Sequence, residues 1–135
     1  MHLISIHPQY VAAILSGAKT VECRKSAIGL SVGDTLMLYA TAPIKAVLGR
    51  ARVKDLHRDT PQRLWDQFQH RTCVTEADFF AYYANAPTAT LIALADVEQF
   101  ANPVALSALR EAQPGFSPPQ TARRLGEDLQ LLLAA

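Results

Sequence analysis

Cysteine is scarce in this sequence, and no cysteine pairs occur. Only Cys23 and Cys73 are present in 135 residues, and neither belongs to a C-x-x-C. That excludes a disulfide scaffold and a zinc-ribbon framework; both thiols are expected to be reduced, with Cys23 alternating with Val21 as a core residue does. Long apolar runs are also missing: no stretch reaches the ~18 residues a membrane helix needs. The opening residues MHLISIHPQY carry no basic leader, so neither a signal peptide nor a membrane partner is expected, and the expected location is cytoplasmic. His70 and Cys73 lie three apart without a second pair, so no metal and no cofactor is expected. Repeats and low-complexity segments are lacking, and nothing in the composition marks a linker.

What is present suits a folded core. Half the residues are hydrophobic and 19% are charged, which argues against disorder. A chain of this length buries roughly two thirds of its unfolded surface, so a single domain over 1–135 is expected. The net charge is only +1, but it is unevenly spread. From Lys19 to Arg58 there are eight basic residues against three acids, and elsewhere five against nine. A locally positive segment is what an anion-binding face requires, although many solvated faces are equally lopsided.

The chain is organised around Ser16 to Lys25, SGAKTVECRK. Before it, Val11, Ile14, Leu15 and Ala18 recur at helical spacing, and Pro8 is a good first helical residue, so a helix is predicted over Pro8–Ser16. Gly17 can take the left-handed cap. From Thr20 a strand is predicted to Lys25, with Val21 and Cys23 on one face and Thr20, Glu22 and Arg24 on the other. Lys19 falls at the helix–strand junction. An ammonium, a hydroxyl, a carboxylate and a guanidinium then lie within a few residues of one turn. The bland alternative is a solvated same-face pair, Glu22 with Arg24.

Other elements follow from periodicity and turn chemistry. His2–His7 reads as a first strand and Thr35–Thr41 as a central one. After the Pro43 turn, Ile44–Leu56 reads as a strand with Val47, Gly49, Ala51 and Val53 on one face. Its other face carries Arg50, Arg52 and Lys54, a stripe for which plain exposure is favoured over phosphate contact. Lys45 is placed to reach over a pocket rim. Thr60-Pro61 and Thr75 with Asp78 are helix starts. Thr88–Phe100 is a strand ended by Asn102-Pro103; Val104–Arg110 is a short helix; Ala122–Leu133 is a helix with Leu125, Leu129 and Leu132 as its stripe. Five strands with inserted helices point to an α+β fold, a small and mostly antiparallel barrel with peripheral helices. Residues 122–135 form a C-terminal helical extension.

The stretch Gly17-Ala18-Lys19-Thr20-Val21-Glu22-Cys23-Arg24 resembles the G-x-K-x-x-x-x-R signature of the ASCH domain family, whose fold is PUA-like. ISIHPQYVAAILSGAKTVECRK, VGDTLMLYATAPIKAVLG and PPQTARRL resemble further segments of that family, so the similarity runs from Ile4 to about Leu125. The resemblance implies a cleft beside the signature that binds RNA or a nucleotide-like small molecule. It implies Lys19 and Arg24 as anion-binding positions, with Thr20 and Glu22 beside them and Lys45 and Gln120 as further contacts. Arg offers a planar fork and Lys a mobile point charge; Glu22 is suited to orienting Arg24 or accepting from a base amino group.

A hydrolase using the same cleft is the alternative. Lys19 as the cation and Glu22 as the general base would assist attack by a 2′-hydroxyl on RNA. One similar branch of the family deacylates acetylcytidine with a Lys, Thr and Glu set. Its Thr lies three residues after the Lys, where this chain has Glu22, and a carboxylate does not replace a hydroxyl nucleophile. A third reading, a protein-interaction domain, would need an exposed leucine face on Ala122–Leu133; packing on its own barrel is favoured for that helix.

Overall fold

The computed structural model describes residues 1–134; Ala135 lies outside the described residues. In chain order the elements are β1 (His2–Ile6), α1 (Pro8–Ser16), β2 (Val21–Arg24), β3 (Thr35–Ala40), β4 (Ala46–Asp59) and α2 (Pro61–Thr72). They continue as α3 (Glu76–Tyr82), β5 (Ala89–Ala105), α4 (Leu106–Ala112), β6 (Arg123–Arg124) and α5 (Glu127–Ala134). The six strands form one sheet in the order β2-β5-β4-β3-β1-β6, curled into a half-barrel of α+β class. The pairings are antiparallel except for β1 with β3, which is parallel.

Local chemistry sets most of these elements. Pro8 opens α1, and Gly17 closes it in the left-handed conformation at φ 87° with its N–H donating to the Ile14 carbonyl. The hydroxyls of Thr60 and Thr75 accept from the backbone N–H groups of Arg63 and Asp78, capping α2 and α3 as their sequences imply. The sheet is covered on both faces. Val11 and Ile14 of α1 pack with Ile4, Leu36 and Leu38. Leu109 of α4 and Leu129 and Leu133 of α5 pack with Leu3 and Met37. The helices α2 and α3 bring Leu64, Trp65 and Phe79 against Val21 and Leu91.

The β4–β5 pair bends at three register shifts, two of them a single extra residue and the third, between Val47 and Gly49, a longer excursion of β5, which increase local twist and curl the sheet. On β4, Gly49, Ala51 and Val53 share the face toward α1, as the alternation predicts, but Val47 does not: the register shift between Val47 and Gly49 turns it to the other face, where it packs with Leu3 and Met37. The opposite face differs from a bare basic stripe. Arg50 donates to Glu98 at 2.8 Å and Arg52 to Asp96 at 2.7 Å, both on β5. The acidic remainder of the chain thus folds back on the basic segment and answers part of its charge. These pairs are half exposed, so each contributes little stability, but they leave Arg50 and Arg52 engaged.

Two expected boundaries move. The strand starting near Thr88 does not end at Asn102-Pro103; β5 runs on to Ala105. Pro103 has no N–H to give a ladder, and it sits in the unpaired stretch between Gln99 and Val104, where none is needed. The expected helix over Ala122–Leu133 is split. Arg123 and Arg124 pair with Leu3 and His2 as a sixth strand, and the helix starts only at Glu127. The open edge of β1 recruits these residues, and the leucine spacing continues across the break because Leu125 is buried in the same cluster as Leu129.

Gly49 shows how tightly α1 sits on the sheet. A Cβ at this position would collide with the Glu98 carbonyl oxygen and lie 2.8 Å from Leu15 Cδ2. Gly49→Ala is expected to destabilise the fold by about 1–3 kcal/mol, the usual cost of overpacking. Urea denaturation measures it, and an unchanged midpoint would mean that β5 and α1 can move apart freely.

Candidate functional site

Where the turn after α1 meets β2, the fold encloses a cavity of about 830 Å³. Its floor is built by the signature residues. The Gly17 cap turns the chain sharply, and Lys19 is carried inward until it is only 1% exposed. Its Nζ donates to the Thr72 carbonyl at the end of α2, where the helix dipole favours a cation. The same ammonium lies 3.5 Å from Glu22 Oε1 and 5.1 Å over the Tyr10 ring.

Glu22, 6% exposed, is shared between two cations. Its Oε2 accepts from Arg24 Nη2 at 2.9 Å, and its Oε1 accepts from the Cys23 backbone N–H at 3.2 Å. Arg24 reaches further: Nη2 donates to the Ser5 carbonyl at 2.7 Å and Nη1 to the Gln120 carbonyl at 3.3 Å. One guanidinium thus joins β1, β2 and the loop before β6. Its Nε is buried without a partner. The triad carries two cations and one anion, so the floor keeps one positive charge, but Lys19 spends its donors on the protein.

Lys19, Glu22, Arg24, Lys45 and Gln120 all line the cavity. The structure does not bring Thr20 there. Alternation starts only with β2 at Val21, and the Thr20 hydroxyl instead accepts from Arg71 Nε at 3.1 Å. Gln120 bonds Arg24 through its backbone oxygen. Lys45 follows the turn after β3 at φ 53° and is exposed at the rim.

Several lining residues escaped sequence reasoning. Tyr39 lies in the central strand β3, where its ring reads as core; burial pushes its phenol pKa up, and the Arg110 guanidinium pulls it partly back down. Arg110 stands on α4, far along the chain, with no local signal to mark it. Its Nε donates to the Phe116 carbonyl at 3.1 Å. Among the described residues neither Lys45 nor Arg110 makes an ion pair. His7, given no role by the sequence, also lines the cavity, as does Tyr82, which is 43% exposed at the opposite lip.

The two thiols differ sharply. Burial pushes Cys23 up to about 11, with Lys19 drawing it back only in part, whereas Cys73 is exposed. A disulfide reagent at about pH 8 is expected to titrate Cys73 promptly and Cys23, half-buried in the cavity wall, far more slowly, because the thiolate is the reactive form. Two fast thiols in the native protein would contradict that burial. Among the described residues no group of three or more His, Cys, Asp or Glu is arranged to hold a metal ion, and no helix is long and apolar enough to cross a membrane.

Comparison with known proteins places these features in a family. The ASCH domain model matches residues 4–111. An ASCH domain-containing ribonuclease of Zymomonas mobilis is 31% identical over 119 residues, covering 88% of this chain and 80% of the relative. The crystal structure of ASCH from Zymomonas mobilis matches with a TM-score of 0.93 at 29% identity, over 98% of this chain and 93% of that one. The N-terminal domain of Staphylothermus marinus McrB, at 12% identity and a TM-score of 0.60 over 98% of this chain and 92% of that one, shares the fold. With a family model spanning most of its length and this signature at the floor of its cavity, the chain belongs to the ASCH domain family.

Proposed function

We propose that the cavity takes one nucleotide of a single-stranded RNA, base inward, and that the strand is cut at its mouth. The observation that carries this reading is the pair of unpaired cations, Lys45 and Arg110, at the rim of a cavity walled by Tyr10, Tyr39 and Tyr82. Aromatic walls suit a base, because every base has a stacking face. Unpaired cations at the rim suit a phosphate. The Glu22 carboxylate and the unused Arg24 Nε suit the hydrogen-bonding edge of a base.

Lys19 and Glu22, the expected cation and base of a hydrolase, are here assigned to holding the floor, since their charges already answer each other. Phosphate binding passes instead to Lys45 and Arg110. In cleavage the 2′-oxygen forms a bond to phosphorus as the bond from phosphorus to the 5′-oxygen breaks. His7 accepts the 2′-hydroxyl proton, the two cations stabilise the phosphorane, and the buried Tyr39 phenol, kept protonated, donates a hydrogen bond to it. The departing 5′-oxygen takes a proton from water at the open mouth and leaves as the 5′-hydroxyl of the second fragment. The name of the Zymomonas mobilis relative supports ribonuclease action. Deacylation of a modified nucleoside has less support, because the Thr20 hydroxyl is bonded to Arg71 outside the cavity.

The test is product analysis by mass spectrometry on short RNAs. Fragments ending in 2′,3′-cyclic phosphate are expected, with 2′-O-methylated RNA bound but uncut. Equal cutting of 2′-O-methylated RNA would refute the proposed attack. Binding is expected to weaken with salt at a log–log slope of roughly −1.4, the value for two phosphate contacts on a single strand. An affinity insensitive to salt would refute the phosphate assignment.

A further inference from the structure

Lys45 and Arg110 face two hollows. Besides lining the cavity, they border a second, shallower groove of about 560 Å³ that continues with Ala105, Leu106, Ser107 and Glu111. Leu106, Ser107, Arg110 and Glu111 recur at the spacing of one helix face, so this groove runs along α4. Ser107 and Glu111 are exposed, and Glu111 makes no ion pair among the described residues. Nothing in the cavity's own chemistry requires this second hollow.

We propose that the groove along α4, continuous with the cavity across Lys45 and Arg110, carries the next nucleotides of the bound strand, so that the ligand is an oligonucleotide rather than a mononucleotide. This rests on the RNA reading of the cavity and extends it. With a base in the cavity, its phosphate lies at the Lys45–Arg110 saddle. A chain leaving the saddle away from the cavity enters the groove. The Leu106 side chain offers an apolar surface there, and the Ser107 hydroxyl can donate to a ribose or phosphate oxygen. Glu111 at the far end repels phosphate, which sets a limit to how far the strand is held.

The lip bearing Tyr82 offers a different exit, and the two routes predict different things. There the exposed Asp78 stands beside Tyr82 and the Lys25 ammonium lies 5.1 Å over the Tyr82 ring, so a backbone passing that way would meet one cation answered by one acid rather than a pair of cations. The charge pattern favours the α4 side.

The experiment compares uridine 5′-monophosphate with a 2′-O-methylated hexauridylate, which resists cutting, by calorimetry on the full chain. The hexamer is expected to bind roughly tenfold more tightly, the equivalent of one added stacking or phosphate contact. Ser107→Glu is expected to remove most of that gain, and Glu111→Gln to increase it a few-fold. Thermal melting of both variants checks that they fold, and both positions are exposed. If the hexamer binds no tighter than the mononucleotide, or if Ser107→Glu leaves the gain intact, the groove is not part of the site while the cavity reading stands. If neither ligand binds, the cavity reading fails and the groove proposal falls with it. If Tyr82→Ala rather than Ser107→Glu abolishes the gain, the strand leaves by the other lip.

Discussion

Glu22→Ala is expected to cost the fold about 3–5 kcal/mol, the penalty for leaving one partner of a buried ion pair uncompensated. That is a large share of the ~5–15 kcal/mol that holds a domain together. The loss falls on Lys19. Its ammonium is 1% exposed and would keep only the Thr72 carbonyl and the Tyr10 ring. Arg24 suffers less, because the Ser5 and Gln120 carbonyls remain. Lys19→Met in the same chain removes the stranded charge, so the Lys19→Met/Glu22→Ala double variant is expected to recover much of the stability. A double-mutant cycle by urea denaturation measures the coupling. A wild-type midpoint in Glu22→Ala would show that the triad is solvated and would remove the rigid floor from the proposed site.

The second large effect is on turnover. Lys45→Ala/Arg110→Ala is expected to lower RNA cleavage by about 100- to 1000-fold, the scale seen when donors to a developing oxyanion are removed. Both residues are exposed, so melting is expected to fall only slightly, through loss of the Arg110 hydrogen bond to the Phe116 carbonyl. Lys54→Ala is the matching control. Lys54 is an exposed cation of the same basic segment and does not line the cavity, so its loss is expected to leave the rate alone. An undiminished rate in the double variant would displace Lys45 and Arg110 from the chemistry. An equal loss in Lys54→Ala would point to general attraction of RNA by the basic segment.

These expectations differ from a first reading of the signature because part of the site was legible in sequence and part was not. Helix α1 was legible to the residue: Pro8 and Gly17 punctuate it and Val11 and Ile14 give its buried face. The convergence of Lys19, Glu22 and Arg24 was legible too, since a cap followed by a strand fixes their directions locally. Their pairing with each other was not, because whether charges meet protein or solvent depends on Thr72, Ser5 and Gln120, all supplied by other elements. Arg110 and the parallel pairing of β1 with β3 were hidden for the same reason. Periodicity reports which face of an element is apolar, not which element covers it. The stripe of Arg50 and Arg52 is half exposed, in keeping with the exposure favoured for it, but its answering acids were hidden too, as they lie more than forty residues on.

Arg24 closes a circuit from the first strand to the loop at Gln120, and this constrains how the protein matures. A ribosome adds roughly 5–20 residues each second and releases the N-terminal part first. Residues 1–100 can therefore lay down most of the sheet while Arg24 still lacks its last carbonyl and β1 its outer neighbour. The pocket is finished only when the closing segment has emerged, so a prematurely terminated chain would have the signature without a completed binding chamber.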